Sequence, residues 1–229
     1  MFNHITLKNI AAFQKLDWQQ HKRINLIIGE NDTGKTHLLK ILYCLARSIE
    51  EYHKTDYAPP RTWEEVLTNK LLWTFQPPDW ALNQLIFKGQ QQLKVATRVD
   101  ETDIYFALGE NMTIPDVSKL INLLSKFNTL FIPPKEVLTA FDAIAATREQ
   151  LEIAGFDDTF FDLIKALRLP STKGHIQDNW QDALKILDNL TKNGQIQFDK
   201  QRFVFKRNHT QYAMSETAEG LKKLVFLIY

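Results

Sequence analysis

Cysteine is nearly absent: one residue, Cys44, in 229. A lone cysteine closes no disulfide within the chain, so the sequence reads as that of a protein kept in the reducing cytoplasm, with Cys44 as a small buried apolar side chain on a helical stretch. No basic start followed by an apolar core opens the chain, and no apolar run approaches the roughly 20 residues that a bilayer span needs, so no membrane partner is expected. Neither sign of charge is in excess. With 28 Lys and Arg against 27 Asp and Glu, the net charge is +1, which argues against a uniformly basic chain that coats nucleic acid and leaves a local basic patch or a partner chain as possible contacts. The six histidines, His4, His21, His37, His53, His175 and His209, show no metal-ligand spacing with Cys or carboxylates, so no zinc is assigned. Repeats, low-complexity tracts and a clear linker are also missing. The composition is 44% hydrophobic and 24% charged, ordinary for a chain that buries one sizeable core or two small ones.

What is present is concentrated at residues 29–36, which read G-E-N-D-T-G-K-T. This is the phosphate-binding P-loop pattern, which should occur by chance in only about one chain of this length per hundred. The residue types follow from the chemistry. Gly29 and Gly34 let the backbone turn tightly, so that successive N–H groups at the positive end of a helix wrap a polyphosphate. Lys35 then reaches the β- and γ-phosphates, and the Thr36 hydroxyl is placed to ligate the Mg²⁺ that bridges them. The nucleotide-binding set is therefore Gly29, Glu30, Asn31, Asp32, Thr33, Gly34, Lys35 and Thr36, with the His37 backbone N–H at an α-phosphate; the expected cofactors are ATP and Mg²⁺. Context agrees: residues 23–28 (R-I-N-L-I-I) predict a strand entering the loop, and residues 37–51 carry Leu38, Leu39, Ile41, Leu42, Leu45 and Ile49 at helical spacing.

Around this centre the patterns predict short strands at 5–7 and 13–18, then, beyond Pro59 and Pro60, a helix near 63–73. Strands at 84–87, 93–99 and 103–107 follow at spacings too short for parallel crossovers, so they should be antiparallel hairpins. Helices are predicted at 117–127, 137–147, 159–167 and 180–190, a short strand at 130–132 before Pro133 and Pro134, a hairpin of 195–198 with 202–205, and a last apolar-faced helix at 218–229. The fold class is α/β, with an antiparallel β layer and a helical insertion.

At this point the residues resemble a family. An opening K-N-I-x-x-F, the strand entering G-E-N-D-T-G-K-T-H-L-L-K, the antiparallel layer, the helical insert and the late M-S-E-T-A-E-G-L-K-K-L are similar to the RecF-, OLD- and SMC-like branch of the ABC-type P-loop ATPases. The resemblance implies one incomplete ABC-type ATPase domain over 1–229: a strand, P-loop and helix core at 1–54, antiparallel strands at 84–108, a mostly helical insertion at 115–192, and a hairpin with a signature-like helix at 194–229. It places Ser215, Ala218, Glu219 and Gly220 at the family's signature, which contacts the γ-phosphate bound by a second subunit. A homodimer sandwiching ATP is the implied partner, with a nuclease or other effector, and nucleic acid, as further ones. Two positions depart from the pattern. Ala11 stands where the family often has Arg or Lys, and Ala218 where it commonly has a Ser hydroxyl, for which Ser215 or Thr217 would substitute. The same residues also read as a helix start capped by Ser215.

ABC-type hydrolysis requires a Walker B strand, four apolar residues followed by Asp and Glu, to support Mg²⁺ and activate water. This sequence contains none, and the expectation is a chain truncated or split before its second half. Three classes follow: an ABC-type ATPase module serving DNA repair or phage defence, a P-loop kinase of a small acceptor, and a scaffold that binds nucleotide without turnover. Smaller candidates read two ways. Glu136 is either near the site or in a solvated turn. Gln90, Gln91 and Gln92 are either a metal-contacting glutamine or a polar hairpin tip, and Lys200, Arg202, Lys206, Arg207, Lys222 and Lys223 are either a DNA patch or ordinary solvated charge.

Overall fold

A computed structural model of the chain describes residues 2–19, 22–53, 62–114, 120, 123, 128–135, 137–151, 153–168, 185–186, 188–192, 194–199 and 202–228. The chain divides into two units, Met1–Leu130 and Phe131–Tyr229.

The first unit is built on a five-stranded antiparallel sheet of order β2-β1-β3-β4-β5, with β1 at Phe2–Ile10, β2 at Phe13–Gln19, β3 at Leu93–Val99, β4 at Thr102–Leu108 and β5 at Met112–Thr113. Alternation decides its two faces. Ile5, Leu7, Val95, Val99, Ile104 and Phe106 are buried at 0 or 1% exposure, whereas Lys8, Lys15, Lys94, Ala96, Arg98 and Tyr105 point to solvent. Trp18 and Leu16 on β2 stand opposite Ile5 and Leu7, and Thr97 and Val95 on β3 stand opposite the same two residues. The strands at 93–99 and 103–107 form as the alternation predicts. The first hairpin differs from expectation: β1 runs on through 8–10, and the turn falls at Ala11 and Ala12, with Ile10 opposite Phe13 and Ala11 in the left-handed region at φ 49°.

Two helices complete this unit, α1 at Lys35–His53 and α2 at Trp63–Phe75, packed on each other. α2 begins with a capping box, Thr62 Oγ1 accepting from the Glu65 N–H and the Glu65 carboxylate accepting from the Thr62 N–H, and ends at Gln76 in a left-handed conformation just before Pro77. The Cys44 thiol donates to the Lys70 carbonyl at 3.7 Å, Trp63 Nε1 donates to Ser48 Oγ at 3.0 Å, and Lys70 Nζ pairs with Glu51 at 2.8 Å, so these three polar groups are matched across the seam. Of the predicted α1 stripe, Leu38, Ile41, Leu45 and Ile49 are buried and Leu39 is exposed at 44%, because Tyr43, Cys44 and Ala46 are buried instead and the covered face is displaced around the helix.

Three predicted strands are not formed. Residues 82–85 make a 3-10 turn, and 84–87 reach β1 only through a single bridge between Ile86 and Ile10, flanked by the Ala11 N–H to Leu85 carbonyl bond at 2.7 Å and the Phe87 N–H to Asn9 carbonyl bond at 2.9 Å. Residues 130–132 are irregular, with Leu130 and Ile132 exposed at 43 and 47%, since no described strand lies beside them and two prolines remove donors on one side. The third, 23–28, leads into the P-loop. The helix predicted at 117–127 lies outside the described residues except for 120 and 123, and most of that at 180–190 lies outside them as well, as does Glu136.

The second unit holds α3 at Phe141–Glu149, α4 at Asp158–Arg168 and a three-stranded antiparallel sheet, β6 at Gln195–Asp199, β7 at Arg202–Arg207 and β8 at Thr210–Ala213, followed by α5 at Glu219–Ile228. Its core joins Phe141 and Ile144 of α3, Leu163 and Leu167 of α4, and Phe203 and Phe205 of β7. The Phe141 and Phe203 rings meet edge to face at 5.6 Å. Strand β8 adds a third strand to the expected hairpin. Its signal was the tight turn at Asn208 and His209, both at positive φ (50° and 64°), which joins Arg207 to Thr210 directly across the ladder.

Candidate nucleotide-binding site

The loop 29–34 enters α1 at Lys35. Its curvature comes from two left-handed residues, Asp32 at φ 63° and Gly34 at φ 86°, and the Leu38 N–H to Gly34 carbonyl bond of 2.9 Å starts the helical ladder. Gly34 is required twice over. Its φ is costly for any side chain, and a Cβ there would lie 2.8 Å from Ala12 Cβ and 3.0 Å from the Phe13 ring. The tip of the β1–β2 hairpin thus packs on the loop's second glycine.

Lys35 curls back over the loop. Its Nζ donates to the Gly29 carbonyl at 2.9 Å, to the Glu30 carbonyl and to Thr33 Oγ1 at 3.3 Å, and Thr33 Oγ1 donates to the Glu30 carbonyl at 2.9 Å. The ammonium is therefore held inside the ring of main-chain groups that opens α1, where an anion would gain from the helix dipole and free N–H groups. Thr36 is exposed on the first turn, and its hydroxyl is engaged by no other described side chain; a small neutral oxygen in that place suits a hard cation such as Mg²⁺. His37 is half-buried against Phe75, with ring centroids 5.9 Å apart, and its Nδ1 has no partner among the described residues. Burial, assisted by Lys40 and opposed by Asp32, holds its pKa below the ordinary value.

The segment before the loop corrects the expected strand. Residues 23–28 pair with no described strand. Ile24, Leu26 and Ile28 are exposed at 86, 86 and 81%, and the local hydrogen bonds are a closed loop between Lys22 and the Asn25 amide at 2.7 and 3.0 Å. A strand's N–H and C=O groups need a neighbour, and side-chain pattern alone supplies none.

The signature-like residues lie in the second unit. Ser215 sits within a 3-10 turn, Met214–Glu216, and does not cap α5. The Ala218 carbonyl accepts the first helical bonds, from Leu221 at 2.9 Å and Lys222 at 3.3 Å, while the Thr217 hydroxyl donates back to the Met214 carbonyl at 2.7 Å. Ala218, Glu219 and Gly220 are exposed, with open space beside Gly220. Gln90, Gln91 and Gln92 line an open groove with Asn83 and Asn111, where the Asn9 amide donates to the Gln92 carbonyl at 3.1 Å. Among the described residues no His, Cys, Asp and Glu cluster suits a metal ion, and no helix is long and apolar enough to cross a membrane.

A glycine-kinked loop feeding a long helix, with its lysine turned into the loop, has the form of a P-loop. A model of the AAA ATPase domain matches residues 1–225, and the chain belongs to that family. The fold class that this family match supports is the α/β P-loop ATPase. The DNA replication and repair protein RecF of Streptococcus suis strain 05ZYH33 is 26% identical over 199 residues, covering 86% of this chain and 48% of the relative. RecF of Bacillus thuringiensis strain Al Hakam is 40% identical over 53 residues, 23% of this chain and 14% of the relative. A solved structure of the recombination mediator protein RecF with ATP, in the RecFOR pathway, aligns over 99% of this chain and 79% of its own at 14% identity and a TM-score of 0.43. The chain spans about half the length of the Streptococcus relative.

Proposed function

We propose that the chain binds ATP and Mg²⁺ through the loop 29–36 as the nucleotide-binding part of a RecF-like ATPase in DNA repair. The observation that carries this reading is the Lys35 ammonium held among the Gly29 and Glu30 carbonyls at the start of α1. A triphosphate arriving there gives the ammonium better acceptors, because a charge-assisted bond to phosphate is roughly twice as strong as one to a neutral carbonyl. Glu30, Asn31, Asp32 and Thr33 supply main-chain groups, Gly29 and Gly34 the close approach, Thr36 the metal ligand, and the His37 N–H an α-phosphate contact. In the assembled protein, Ser215, Ala218, Glu219 and Gly220 of one copy close over the γ-phosphate held by another, so ATP gates a homodimer. Turnover needs a water-activating carboxylate that this sequence does not contain in the Walker B form, so binding without hydrolysis is the expected behaviour of the chain itself. Names of the relatives favour DNA repair over phage defence, and the antiparallel sheet and family match favour the ATPase over a small-acceptor kinase.

Calorimetric titration of ATP and a non-hydrolysable analogue with Mg²⁺, alongside a phosphate-release assay, tests this. Binding by the wild-type chain that Lys35→Ala abolishes, with no turnover, is expected; equal binding by Lys35→Ala overturns the assignment of the loop.

A further inference from the structure

A groove of about 1150 Å³ opens at one end of the five-stranded sheet, between residues 81–92 and the turn that joins β4 to β5. None of residues 29–36 lines it. Its apolar lining is Leu82, Ile86 and Phe87, all half-buried, and Leu108, buried at 7% exposure. Its polar lining is dominated by carboxamides: Asn83, Gln90, Gln91, Gln92 and Asn111 are all exposed. The loop beneath them is already tied together by main-chain bonds, from the Phe87 N–H to the Asn9 carbonyl at 2.9 Å and from the Gln90 N–H to the Phe87 carbonyl at 3.0 Å. Asn9, in the left-handed region at φ 54°, donates its amide to the Gln92 carbonyl at 3.1 Å and to Gln90 Oε1 at 3.4 Å. Across the groove the Gly109 N–H bonds the Asn111 carbonyl at 3.2 Å. By contrast, the side-chain amides of Asn83, Gln91, Gln92 and Asn111 make no hydrogen bond among the described residues. Lys88 and Glu110 are the charged residues of the lining, and their charges cancel.

We infer that this groove docks an extended, uncharged segment of a partner polypeptide, gripped through its main chain. Each carboxamide offers a carbonyl acceptor and an NH₂ donor, the complement of the N–H and C=O that every peptide unit presents. An extended segment repeats those units at about 3.3 Å per residue and turns alternate side chains to opposite sides, so every second side chain can meet the apolar lining. Size and charge select against other classes of ligand. The volume exceeds the roughly 300–1,000 Å³ of small-molecule pockets, and a lining without net charge supplies no counter-charge for a row of phosphates. The inference concerns a surface separate from the loop 29–36 and goes beyond the nucleotide reading.

Selection of a random dodecapeptide phage library on the wild-type chain, followed by fluorescence anisotropy of the leading peptide, tests the docking. The expected peptide is uncharged, with an apolar side chain at every second position. Gln91→Ala/Asn111→Ala removes two unengaged carboxamides and no internal hydrogen bond, so it should keep the parent's melting temperature while weakening the peptide on the order of tenfold. Gln91→Glu/Asn111→Asp keeps the shape of the groove and removes its donors, and should weaken the peptide as well. Lys35→Ala should bind it as the wild type does. Failure to enrich any peptide overturns the proposal, as does a leading peptide that both double variants bind with unchanged affinity. Displacement of the peptide by ATP, or its loss in Lys35→Ala, puts the peptide in the P-loop and also overturns it. Maltohexaose bound in a carboxamide-dependent way, without peptide binding, would make the groove a sugar site instead. ATP calorimetry on Gln91→Ala/Asn111→Ala keeps the two readings apart: unchanged ATP binding is expected, and its loss would assign the groove to the nucleotide.

Discussion

Two stretches of this chain carry the same kind of pattern and end differently. In 93–99 (L-K-V-A-T-R-V), Leu93, Val95 and Val99 alternate with Lys94 and Arg98 and are buried at 0 or 1%. In 23–28 (R-I-N-L-I-I), Ile24, Leu26 and Ile28 fall at every second position and are exposed above 80%. The difference is pairing. Strand β3 lies between β1 and β4 with seven registered pairs to β4, while 23–28 has no described neighbour. Alternation states which face a strand would bury, and only pairing with a neighbour makes the strand.

Deleting an inward side chain on the paired side should give the largest effect. Phe106→Ala, at 1% exposure, is expected to cost about 3–5 kcal/mol in urea unfolding, against about 0.5 kcal/mol or less for Leu26→Ala at 86% exposure. A matching loss at Leu26 would mean that the 23–28 segment is covered in solution. Next comes the contrast of two left-handed glycines. Gly34→Ala adds a Cβ 2.8 Å from Ala12 to the strain of φ 86° and should destabilise by about 2–4 kcal/mol. Gly89→Ala, at φ 85° with nothing within 4 Å, should cost only the backbone term of about 1–2 kcal/mol. Equal losses in thermal melts would show that the hairpin tip yields to the loop.

The smallest effect concerns pH. His37 has its folded pKa lowered, first by burial and then by Lys40, so the folded state binds its proton less readily than the unfolded state does. The stability it contributes is present above the ordinary histidine value, about 6.5, and is lost as pH falls below it toward the lowered folded value. Melting temperature should therefore fall on acidification from pH 7 to 5, and His37→Phe should flatten that part of the profile. A steeper profile in the variant would assign the dependence to other groups.

The form of the loop is legible in the sequence. The loop 29–36, the helix it opens and the lysine within it follow from glycine's freedom at positive φ and from the chemistry of phosphate, both local properties of a few residues. The hairpin of β3 and β4 was equally legible, because the Asp100 and Glu101 turn and the alternation on either side lie within 16 residues (Leu93 to Leu108). Less legible was Ala12 and Phe13 packing on Gly34, since the contact joins a hairpin tip to a loop some 20 residues on. The pattern around Ser215 also fits a helix cap, yet the chain makes its 3-10 turn first and leaves the Ala218 carbonyl to start the helix.

Lys8, Lys15 and Lys94, exposed on adjacent strands, make the division plain. That Lys8, Lys15 and Lys94 are polar positions on alternating strands is a property of the sequence, as are the P-loop, the family it points to and the apolar face of each strand. That the three stand in one line follows only from strand order and register, which bring Lys94 beside Lys8 from 86 residues away. Local conformation depends on neighbours along the chain, and these the sequence displays. Pairing, and hence which strands exist, what a glycine touches and where charges collect, depends on neighbours in space, which the folded chain alone selects.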